Sequence, residues 1–265
     1  MELRGKRTLV TGATGGLGQA IARSLYAQGA ELVLTGRREE VLEELRAELG
    51  DRARTLAVDL AGATSAARLA EEAGEVDVLV ANAALPGSGR YDDFSPDEMD
   101  RAIDVNLRAP MQLARALGPE MERRGRGHIV FVSSLSGKVA SAGGSVYSAT
   151  KFGVRGFAGG LREDLRGSGV GVTVVFPGFI RDEGMFADAD VDLPRGVGTS
   201  TAAEVGDAVV RGIEKERAEL DVAPLHMRAG AQFSALAPVL SARLQGLLGG
   251  HDVADQMAKG QRDKR

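Results

Sequence analysis

A tyrosine, a lysine and a serine in the middle of the chain have the types and the spacing needed to move a proton. Tyr147 and Lys151 are four residues apart in a helix-compatible segment, so they share one helix face. A phenol with a pKa of about 10 is a poor base at neutral pH, but a lysine ammonium beside it favours the phenolate and lowers that pKa. We therefore expect Tyr147 to exchange a proton with a carbonyl or alcohol oxygen, which Ser134 would polarise. Taken alone, Tyr-x-x-x-Lys is a common surface pair, so its position in the fold matters.

A glycine-rich loop near the N-terminus has the composition that holds the phosphates of a nucleotide. A strand at Thr8–Val10 leads into Thr-Gly-Ala-Thr-Gly-Gly-Leu-Gly at 11–18, and a helix comes next. Gly12 would permit the tight turn, Gly16 the approach of a diphosphate, and Gly18 the packing of the helix on the sheet. The N-terminus of the helix would offer free N–H groups and a positive dipole end. The alternative is a purely structural turn.

The residues after the second strand indicate whether the loop would hold NAD or NADP. An NAD site places Asp or Glu there, about 20 residues beyond the loop, to hold the ribose 2′-hydroxyl. This chain has Thr35-Gly36-Arg37-Arg38, whose two guanidinium groups suit a 2′-phosphate. Glu39 and Glu40 are predicted to begin the next helix, where acids are favourable. We therefore expect NADP(H); the alternative is that both arginines are solvated surface residues.

The elements that must position these residues alternate between strand and helix up to about residue 222. Several strand candidates are Val- and Leu-rich runs without polar alternation, as expected of a parallel sheet buried on both faces. Capping-box patterns at Ser95 and Thr201 mark the starts of two helices. The alternation predicts an α/β fold with an open, doubly wound parallel sheet and helices on both faces. The predicted strands are Thr8–Val10, Glu31–Thr35, Arg54–Val58, Val76–Ala81, His128–Ser133, Gly171–Phe176 and Glu219–Val222.

Composition narrows the function classes further. The chain has 265 residues, of which 36 are Gly, and 43% of the residues are hydrophobic, which suits one large α/β domain. The absence of Cys excludes a disulfide framework, a thiolate metal site and a cysteine nucleophile, and three scattered His residues argue against zinc. A net charge of −4 without a basic stripe argues against nucleic-acid binding. Neither a signal peptide nor an apolar run of about 18 residues is visible, so we expect a soluble, cytoplasmic protein without a transmembrane span.

Two segments lie outside the alternation. Residues 182–200, which we call the lid, are acidic and Gly/Pro-punctuated directly after a strand, and they predict a mobile cover for a catalytic domain at 1–222. Residues 223–265, which we call the tail, predict a helical extension that packs on the body or on a partner subunit. The alternative is a helix on a membrane surface, whose polar face should then be cationic. Despite Pro238, apolar tail residues recur at helical spacing at Phe233, Leu236, Leu240, Leu244 and Leu247.

With these motifs in this order, the chain resembles the classical short-chain dehydrogenase/reductase family over Lys6–Val222. The resemblance implies that Asp59 contacts the adenine, that Lys151 also binds the nicotinamide ribose, and that Asn106 holds a water in a proton relay. Without it, Asp59 would be interpreted as a helix cap and Asn106 as a polar helix residue. The matching motifs are the glycine loop at 11–18, Asp59, Asn82-Ala83, Asn106, Ser134, Tyr147 with Lys151, and Pro177-Gly178.

The resemblance also implies a homodimer or homotetramer and a defined set of cofactor contacts. The residues expected to bind the cofactor are Gly12, Thr14, Gly15, Gly16, Leu17, Gly18, Arg37, Arg38, Asp59, Leu60, Asn82, Ala83, Tyr147, Lys151, Pro177, Gly178 and Ile180.

The chain departs from the family pattern at two places. The usual Asn-Asn-Ala-Gly is replaced by Ala81-Asn82-Ala83-Ala84, which bears on how the adenosine ribose is held. Asp182 stands where the family usually has Thr beside the nicotinamide carboxamide. An acid there could still accept from the amide N–H₂ group, so the sequence leaves the effect of Asp182 open.

These features predict an NADP(H)-dependent oxidoreductase that interconverts a carbonyl and an alcohol, with Asn106, Ser134, Tyr147 and Lys151 as the catalytic residues. One alternative is a nucleotide-binding sensor or scaffold without turnover. A second is an epimerase or dehydratase of the extended branch, whose glycine spacing and longer substrate domain are absent here.

The predicted substrate is a small, neutral and lipophilic molecule. Besides Ser134, apolar residues near the lid would line its pocket, and the acids of the lid would disfavour an anion. The apolar residues are Leu85, Pro86, Met185, Phe186, Val191 and Leu193, and the acids are Asp182, Glu183, Asp188, Asp190 and Asp192.

Overall fold

One parallel sheet of seven strands forms the centre of the protein. The computed structural model describes residues 1–189, 191, 193, 197–247 and 250–261, so Asp190 and Asp192 of the predicted lid lie outside it. The strands are β1 Arg7–Thr11, β2 Glu31–Gly36, β3 Ala53–Ala57, β4 Val78–Ala81, β5 Gly127–Val132, β6 Val170–Pro177 and β7 Glu219–Val222. Their order is β3-β2-β1-β4-β5-β6-β7, and every neighbouring pair is parallel. The predicted fold class is confirmed, and all seven predicted strands are present.

Helices cover both faces of this sheet, which explains why its central strands carry apolar side chains on both sides. The described helices are α1 Gly16–Ala27, α2 Glu39–Leu49, α3 Ser65–Ala73, α4 Pro96–Ile103, α5 Ala109–Arg123, α6 Ser145–Asp164, α7 Ala202–Lys215, α8 Leu225–Leu236, α9 Pro238–Leu247 and α10 Gly250–Gln261. Buried side chains of α1, α2 and α7 form one core with the sheet, and those of α3, α5 and α6 form a second core on the opposite face.

Two predicted capping boxes begin helices that flank the site. Ser95 Oγ accepts from the backbone N–H of Glu98, whose carboxylate accepts from the Ser95 N–H in return. Thr201 and Glu204 make the same reciprocal pair at the start of α7. Each box satisfies two donors that a helix N-terminus leaves free, so the patterns mark the helix starts correctly.

A π-helical turn at Asp104–Arg108 joins α4 to α5. The wider turn adds a residue relative to an α-helix, and such turns often lie at functional sites. It contains Asn106, which is buried. The sequence predicts a helix here without indicating the change of turn.

The tail consists of α8, α9 and α10. The tail is helical as predicted, but it is divided at Ala237, since the proline at 238 has no N–H to continue the helix. The apolar spacing also does not translate into burial, because Leu236 is 86% and Leu240 51% exposed. Within the described part of the chain, no helix combines the length and apolar character that crossing a membrane requires.

Candidate active site

A single cavity of about 1120 Å³ lies at the carboxyl ends of the central strands and contains nearly all the predicted site residues. It lies where the strand order changes direction between β1 and β4, the usual ligand site in open α/β sheets. Every residue predicted to bind the cofactor lines it, together with Ser134, Leu85, Met185 and Phe186. Asn106, from the predicted catalytic set, does not line the cavity.

The glycine loop is held in place by the end of β4. Asn82 Nδ2 donates to the Thr11 carbonyl at 3.0 Å, and the Asn82 N–H donates to Thr11 Oγ1 at the same distance. Gly12 has φ +68°, and a side chain there would lie 2.7 Å from the Cα of Ala83. A side chain at Gly18 would lie 2.8 Å from the Cα of Ala13. These two positions therefore require glycine, one for the turn and one for the packing of α1 on the loop.

A carboxylate from the lid lies against the same loop. A methyl group on Gly16 would lie 2.6 Å from the Cβ and 2.8 Å from the Cδ of Glu183, so this side chain rests on the Gly16 backbone. The free N–H groups and the dipole at the start of α1 favour an anion there. The sequence assigned Glu183 only to the general acidity of the lid, because a contact between distant segments has no local signal.

The arginines at the end of β2 are exposed at the cavity wall. Arg38 donates to the backbone carbonyl of Thr14 in the glycine loop, which fixes its side chain beside the loop. Arg37 lies close enough to Asp59 for its charge to act on that carboxylate. Burial raises the pKa of Asp59, but hydrogen bonds from Ala61 and Arg101 and the nearby arginine charges lower it further, to below its ordinary value. The site therefore combines two cations with one ionised carboxylate.

Tyr147 lies in the first turn of α6 and hydrogen-bonds Ser134, which comes directly after β5. Burial raises the pKa of Tyr147 to about 12, and the hydrogen bond from Ser134 offsets only part of that rise. The net lowering of the Tyr147 pKa that the spacing predicts is therefore not found, because desolvation of the phenolate dominates. The phenol carries its proton at neutral pH.

Lys151 is 2% exposed, one turn beyond Tyr147 on α6. Its Nζ donates to the Val132 carbonyl at 3.1 Å and lies 5.4 Å from the centre of the Tyr147 ring. Burial lowers the pKa of Lys151 to about 8, since the ammonium is removed from water without a carboxylate partner among the described residues.

Asn106 supports the cavity wall from behind. Its Oδ1 accepts from the Leu85 N–H at 2.6 Å, and its Nδ2 donates to the Leu85 carbonyl at 2.9 Å. Both ends of the amide therefore hold the loop after β4, and Gly87 of that loop packs against Tyr147. The water-holding role implied by the family resemblance stays a prediction.

The short helical turn after Ser134 is fastened to the last strand by a buried lysine. Lys138 Nζ lies 2.6 Å from Asp221 Oδ1 and 2.9 Å from Glu219 Oε2, with the Phe176 ring centre 4.0 Å away. Burial raises the pKa of Glu219, but hydrogen bonds from Arg155 and Lys138 lower it to below its ordinary value. Nothing local in the sequence indicates this cluster, because its members come from three separate elements.

Asp182 is not among the residues that line the cavity. Its Oδ1 accepts from the Ala202 N–H at 3.0 Å, so it satisfies a free donor at the start of α7. The base of the lid is closed by a parallel bridge between Ile180 and Ser200. One oxygen of the Asp182 carboxylate is therefore used at the start of α7.

The remaining cavity wall comes from the lid and from the tail. Met185 and Phe186 line it from the lid, and the Phe186 ring lies 4.9 Å from that of Phe179. The sequence did not predict any tail residue in the site, because residues far apart in the chain give no periodic signal when they meet. The tail residues on the wall are His226, Met227, Gly230, Ala231, Ser241, Val253, Ala254, Met257 and Gln261.

The residues present fit a nicotinamide dinucleotide. The cavity exceeds the roughly 1,000 Å³ upper range of common ligand pockets, so a dinucleotide and a small substrate fit together. Glycines, a helix N-terminus and arginines offer the donors that phosphates need. Across the described residues, no group of His, Asp and Glu is placed to hold a metal ion.

Comparison with known proteins supports the same interpretation. The sequence model of the short chain dehydrogenase family matches residues 6–192. Ketoacyl reductase HetN of Nostoc sp. is 36% identical over 227 residues, which are 83% of this chain and 79% of that protein. The NADP-dependent 3-hydroxy acid dehydrogenase YdfG of Escherichia coli K12 is 40% identical over 177 residues, 65% of this chain and 71% of that enzyme. A short-chain dehydrogenase from Sphingobium yanoikuyae, solved with NADPH, is 29% identical with a TM-score of 0.77, covering 92% of this chain and 95% of that one.

Proposed function

The chain belongs to the short-chain dehydrogenase/reductase family, and we propose that it interconverts a carbonyl and an alcohol with NADP(H) as its preferred cofactor. The observation that carries the proposal is the position of Ser134, Tyr147 and Lys151 on one cavity with the glycine loop. Each of these side chains has a separable task in such a reaction.

Tyr147 is the proton donor of the proposed reduction. With a pKa of about 12 the phenol is protonated at neutral pH, and it gives its proton to the oxygen that develops negative charge. Ser134 hydrogen-bonds Tyr147 and would bind the same oxygen. When bound, the nicotinamide supplies the hydride to the carbonyl carbon. Lys151 brings a buried cation next to the phenol, where it stabilises the phenolate left after proton transfer.

The preference for NADP(H) rests on the end of β2. Arg37 and Arg38 line the cavity there, and no carboxylate stands at the strand end to bind a ribose 2′-hydroxyl. Two of the similar proteins carry NADP or NADPH in their descriptions. A 2′-phosphate would therefore meet two guanidinium groups.

The proposed substrate is a neutral, lipophilic ketone, aldehyde or alcohol. Among the described residues that line the cavity, the cationic side chains are Arg37, Arg38 and Lys151, which the cofactor and the catalytic group would engage. The wall near the lid is built from Leu85, Met185 and Phe186. An anionic substrate would find no further cation there, so an apolar one is favoured.

Thermal unfolding with each cofactor, combined with a reduction assay, tests the proposal. We expect a larger rise in Tm with NADPH than with NADH, and consumption of NADPH with neutral ketones such as cyclohexanone. Tyr147→Phe should keep most of the NADPH shift, because the glycine loop and the arginines are unchanged, but it should lose activity about a hundredfold or more, because it removes the hydroxyl that donates the proton. A larger shift with NADH would overturn the cofactor preference, and no shift with either would overturn the enzyme assignment.

We also propose that the protein is a homodimer or homotetramer. Ile103 on α4 and Met111 on α5 are each more than a third exposed and line a groove of about 570 Å³, and Phe152 on α6 is also more than a third exposed. Covering these side chains would stabilise an assembly. Light scattering on the purified protein measures its mass in solution, and a monomeric mass at micromolar concentration would contradict this proposal.

A further inference from the structure

One ion-pair cluster connects the turn after Ser134 to the helix α6. Its carboxylates belong to Glu219 and Asp221, which both lie on β7. Lys138, directly after the turn, pairs with both carboxylates. Arg155, on α6, pairs with Glu219 at 2.8 Å. The last strand of the sheet therefore holds the turn and the helix through one shared set of charges.

The Lys138 side chain is the most closed member of this cluster. It is 4% exposed, its Nζ lies 2.6 Å from Asp221 Oδ1, and the ring centre of Phe176 on β6 is 4.0 Å away. The carbonyl of Pro177, the next residue on β6, accepts from Ser134 Oγ at 3.5 Å. A cation removed from water needs a well-placed partner, so Asp221 holds Lys138 in one position.

Backbone hydrogen bonds connect Lys138 to Ser134. The Lys138 N–H donates to the Leu135 carbonyl at 2.8 Å, and the Gly137 N–H donates to the Ser134 carbonyl at the same distance. The Ser136 N–H donates to Ser134 Oγ at 3.1 Å, which directs the hydroxyl. Each of these two carbonyl bonds closes over three residues, so the two ends of the turn move together.

The same turn packs directly on α6. A methyl group on Gly137 would lie 2.8 Å from the Lys151 carbonyl oxygen, so the two backbones are close together here. Tyr147, Lys151 and Arg155 follow one another at intervals of four residues and share one face of α6. A shift of the turn along this face would therefore change the separation of Ser134 and Tyr147.

We infer that Lys138 is a positioning residue for the proposed reaction. Paired with Asp221, it holds the turn so that the Ser134 hydroxyl stays within hydrogen-bond distance of Tyr147. Lys138 itself does not line the cavity, so it acts through Ser134 and not on the substrate. This inference rests on the proposed function, in which Ser134 binds the reacting oxygen.

The dependence of kcat on Lys138, with and without the Ser134 hydroxyl, tests this role. With NADPH and cyclohexanone, Lys138→Met should lower kcat about tenfold, because a misplaced hydroxyl stabilises the reacting oxygen less. The Kd for NADPH should stay nearly unchanged. In a Ser134→Ala background, Lys138→Met should lower kcat less than about twofold, since the hydroxyl that it positions is already absent.

Three further variants or measurements control this comparison. Circular dichroism at the assay temperature establishes that each variant is folded. Asp221→Asn removes the partner of Lys138 and should show the same dependence on Ser134, so it replaces Lys138→Met if that variant does not fold. Lys215→Met, at the exposed end of α7, is the matched control and should leave kcat unchanged. Equal losses from Lys138→Met with and without the Ser134 hydroxyl would overturn the inference, because a merely structural role does not depend on that hydroxyl.

The separation of Ser134 Oγ and Tyr147 Oη in crystals gives a second measurement, which needs no activity. The two oxygens should lie within hydrogen-bond distance in the wild type and beyond it in Lys138→Met. An unchanged separation in Lys138→Met would also overturn the inference. A wild type that reduces no ketone with NADPH would instead contradict the proposed function, and the crystallographic comparison would still decide the positioning role.

Discussion

The side chain of Glu183 rests on the backbone of Gly16, so the lid places a carboxylate at the N-terminus of α1. The diphosphate of a dinucleotide is expected at the same place, because the loop and the helix dipole favour one anion there. Two anions cannot share this position without a repulsive cost. Glu183 therefore has to move when the cofactor binds.

Glu183→Gln should strengthen NADPH binding. The interaction of a carboxylate with a helix N-terminus is typically worth about 0.3–1 kcal/mol. Glu183→Gln removes this competing interaction, so we expect the Kd for NADPH to fall about two- to fivefold. Fluorescence titration of the purified protein measures it. Glu122→Gln, an exposed acid at the end of α5, is the matched control and should leave the Kd unchanged. An unchanged or weaker affinity in Glu183→Gln would show that this carboxylate does not compete.

Substitution of either arginine after β2 should reduce cofactor discrimination. Arg37→Ala and Arg38→Ala should each weaken NADPH binding about tenfold and leave NADH binding nearly unchanged, because only the 2′-phosphate needs the charge. Separate titrations with the two cofactors give the ratio of Kd values. Arg46→Ala, which removes an exposed pair with Glu43 on α2, serves as the control. Equal losses for both cofactors would indicate that the arginines act only on the shared part of the molecule.

Lys151→Met should make the protein more stable while removing its activity. Burial lowers the Lys151 pKa from 10.5 to about 8, so below pH 8 the folded state bears the cost of a buried ammonium. We expect the variant to gain on the order of 1–3 kcal/mol in the free energy of unfolding at pH 7, measured by urea denaturation. Lys215→Met, at the exposed end of α7, is the control.

The same comparison has a defined pH dependence. Between pH 8 and 10.5 the unfolded wild type retains a proton that the folded state has lost, so wild-type stability rises through this window. The advantage of Lys151→Met should therefore shrink from pH 7 to pH 10. If the stability difference between Lys151→Met and the wild type stays constant or grows with pH, the buried ammonium of Lys151 does not destabilise the folded state.

Lys138→Met should destabilise the protein by about 3 kcal/mol, because Asp221 remains in a nearly closed environment without its cation. The double variant Lys138→Met/Asp221→Asn should lose less stability than the sum of the losses in the two single variants. A double-mutant cycle of urea denaturation measures this difference in the free energy of unfolding. Arg155→Met removes a partly exposed cation from Glu219 and should cost under about 1 kcal/mol. If Lys138→Met and Arg155→Met lower the free energy of unfolding by similar amounts, the burial of Lys138 does not explain its contribution to stability.

The sheet and the cofactor half of the site were predictable because their signals are local. Apolar runs such as Val78–Ala81 identify buried strands, and the turn at Gly12 needs glycine for its own backbone. The carboxyl ends of parallel strands lie at the same edge of the sheet, so Ser134 and Asn82 line the same cavity once the strands are assigned. For these elements, local pattern and global fold agree.

The substrate half was not predictable, since it is made by contacts between distant segments. Nothing near Gln261 or Glu183 in the sequence indicates a partner on the lid or on the glycine loop. Asp182 shows the opposite case, in which a family position suggested the nicotinamide but a free N–H at Ala202 satisfies the acid. Tertiary packing decides such side chains, and its outcome is visible only in the structure.

The π-helical turn around Asn106 limits how the protein can change. Deleting one residue from Asp104–Arg108 would turn the segment into a regular α-helix, because the wider turn holds one residue more than an α-helical turn. The flanking helices α4 and α5 could keep their positions, but the turn that presents the Asn106 amide to the Leu85 backbone would be lost. Substitutions can therefore adjust this segment, but its length is fixed by the position that the Asn106 amide has to take.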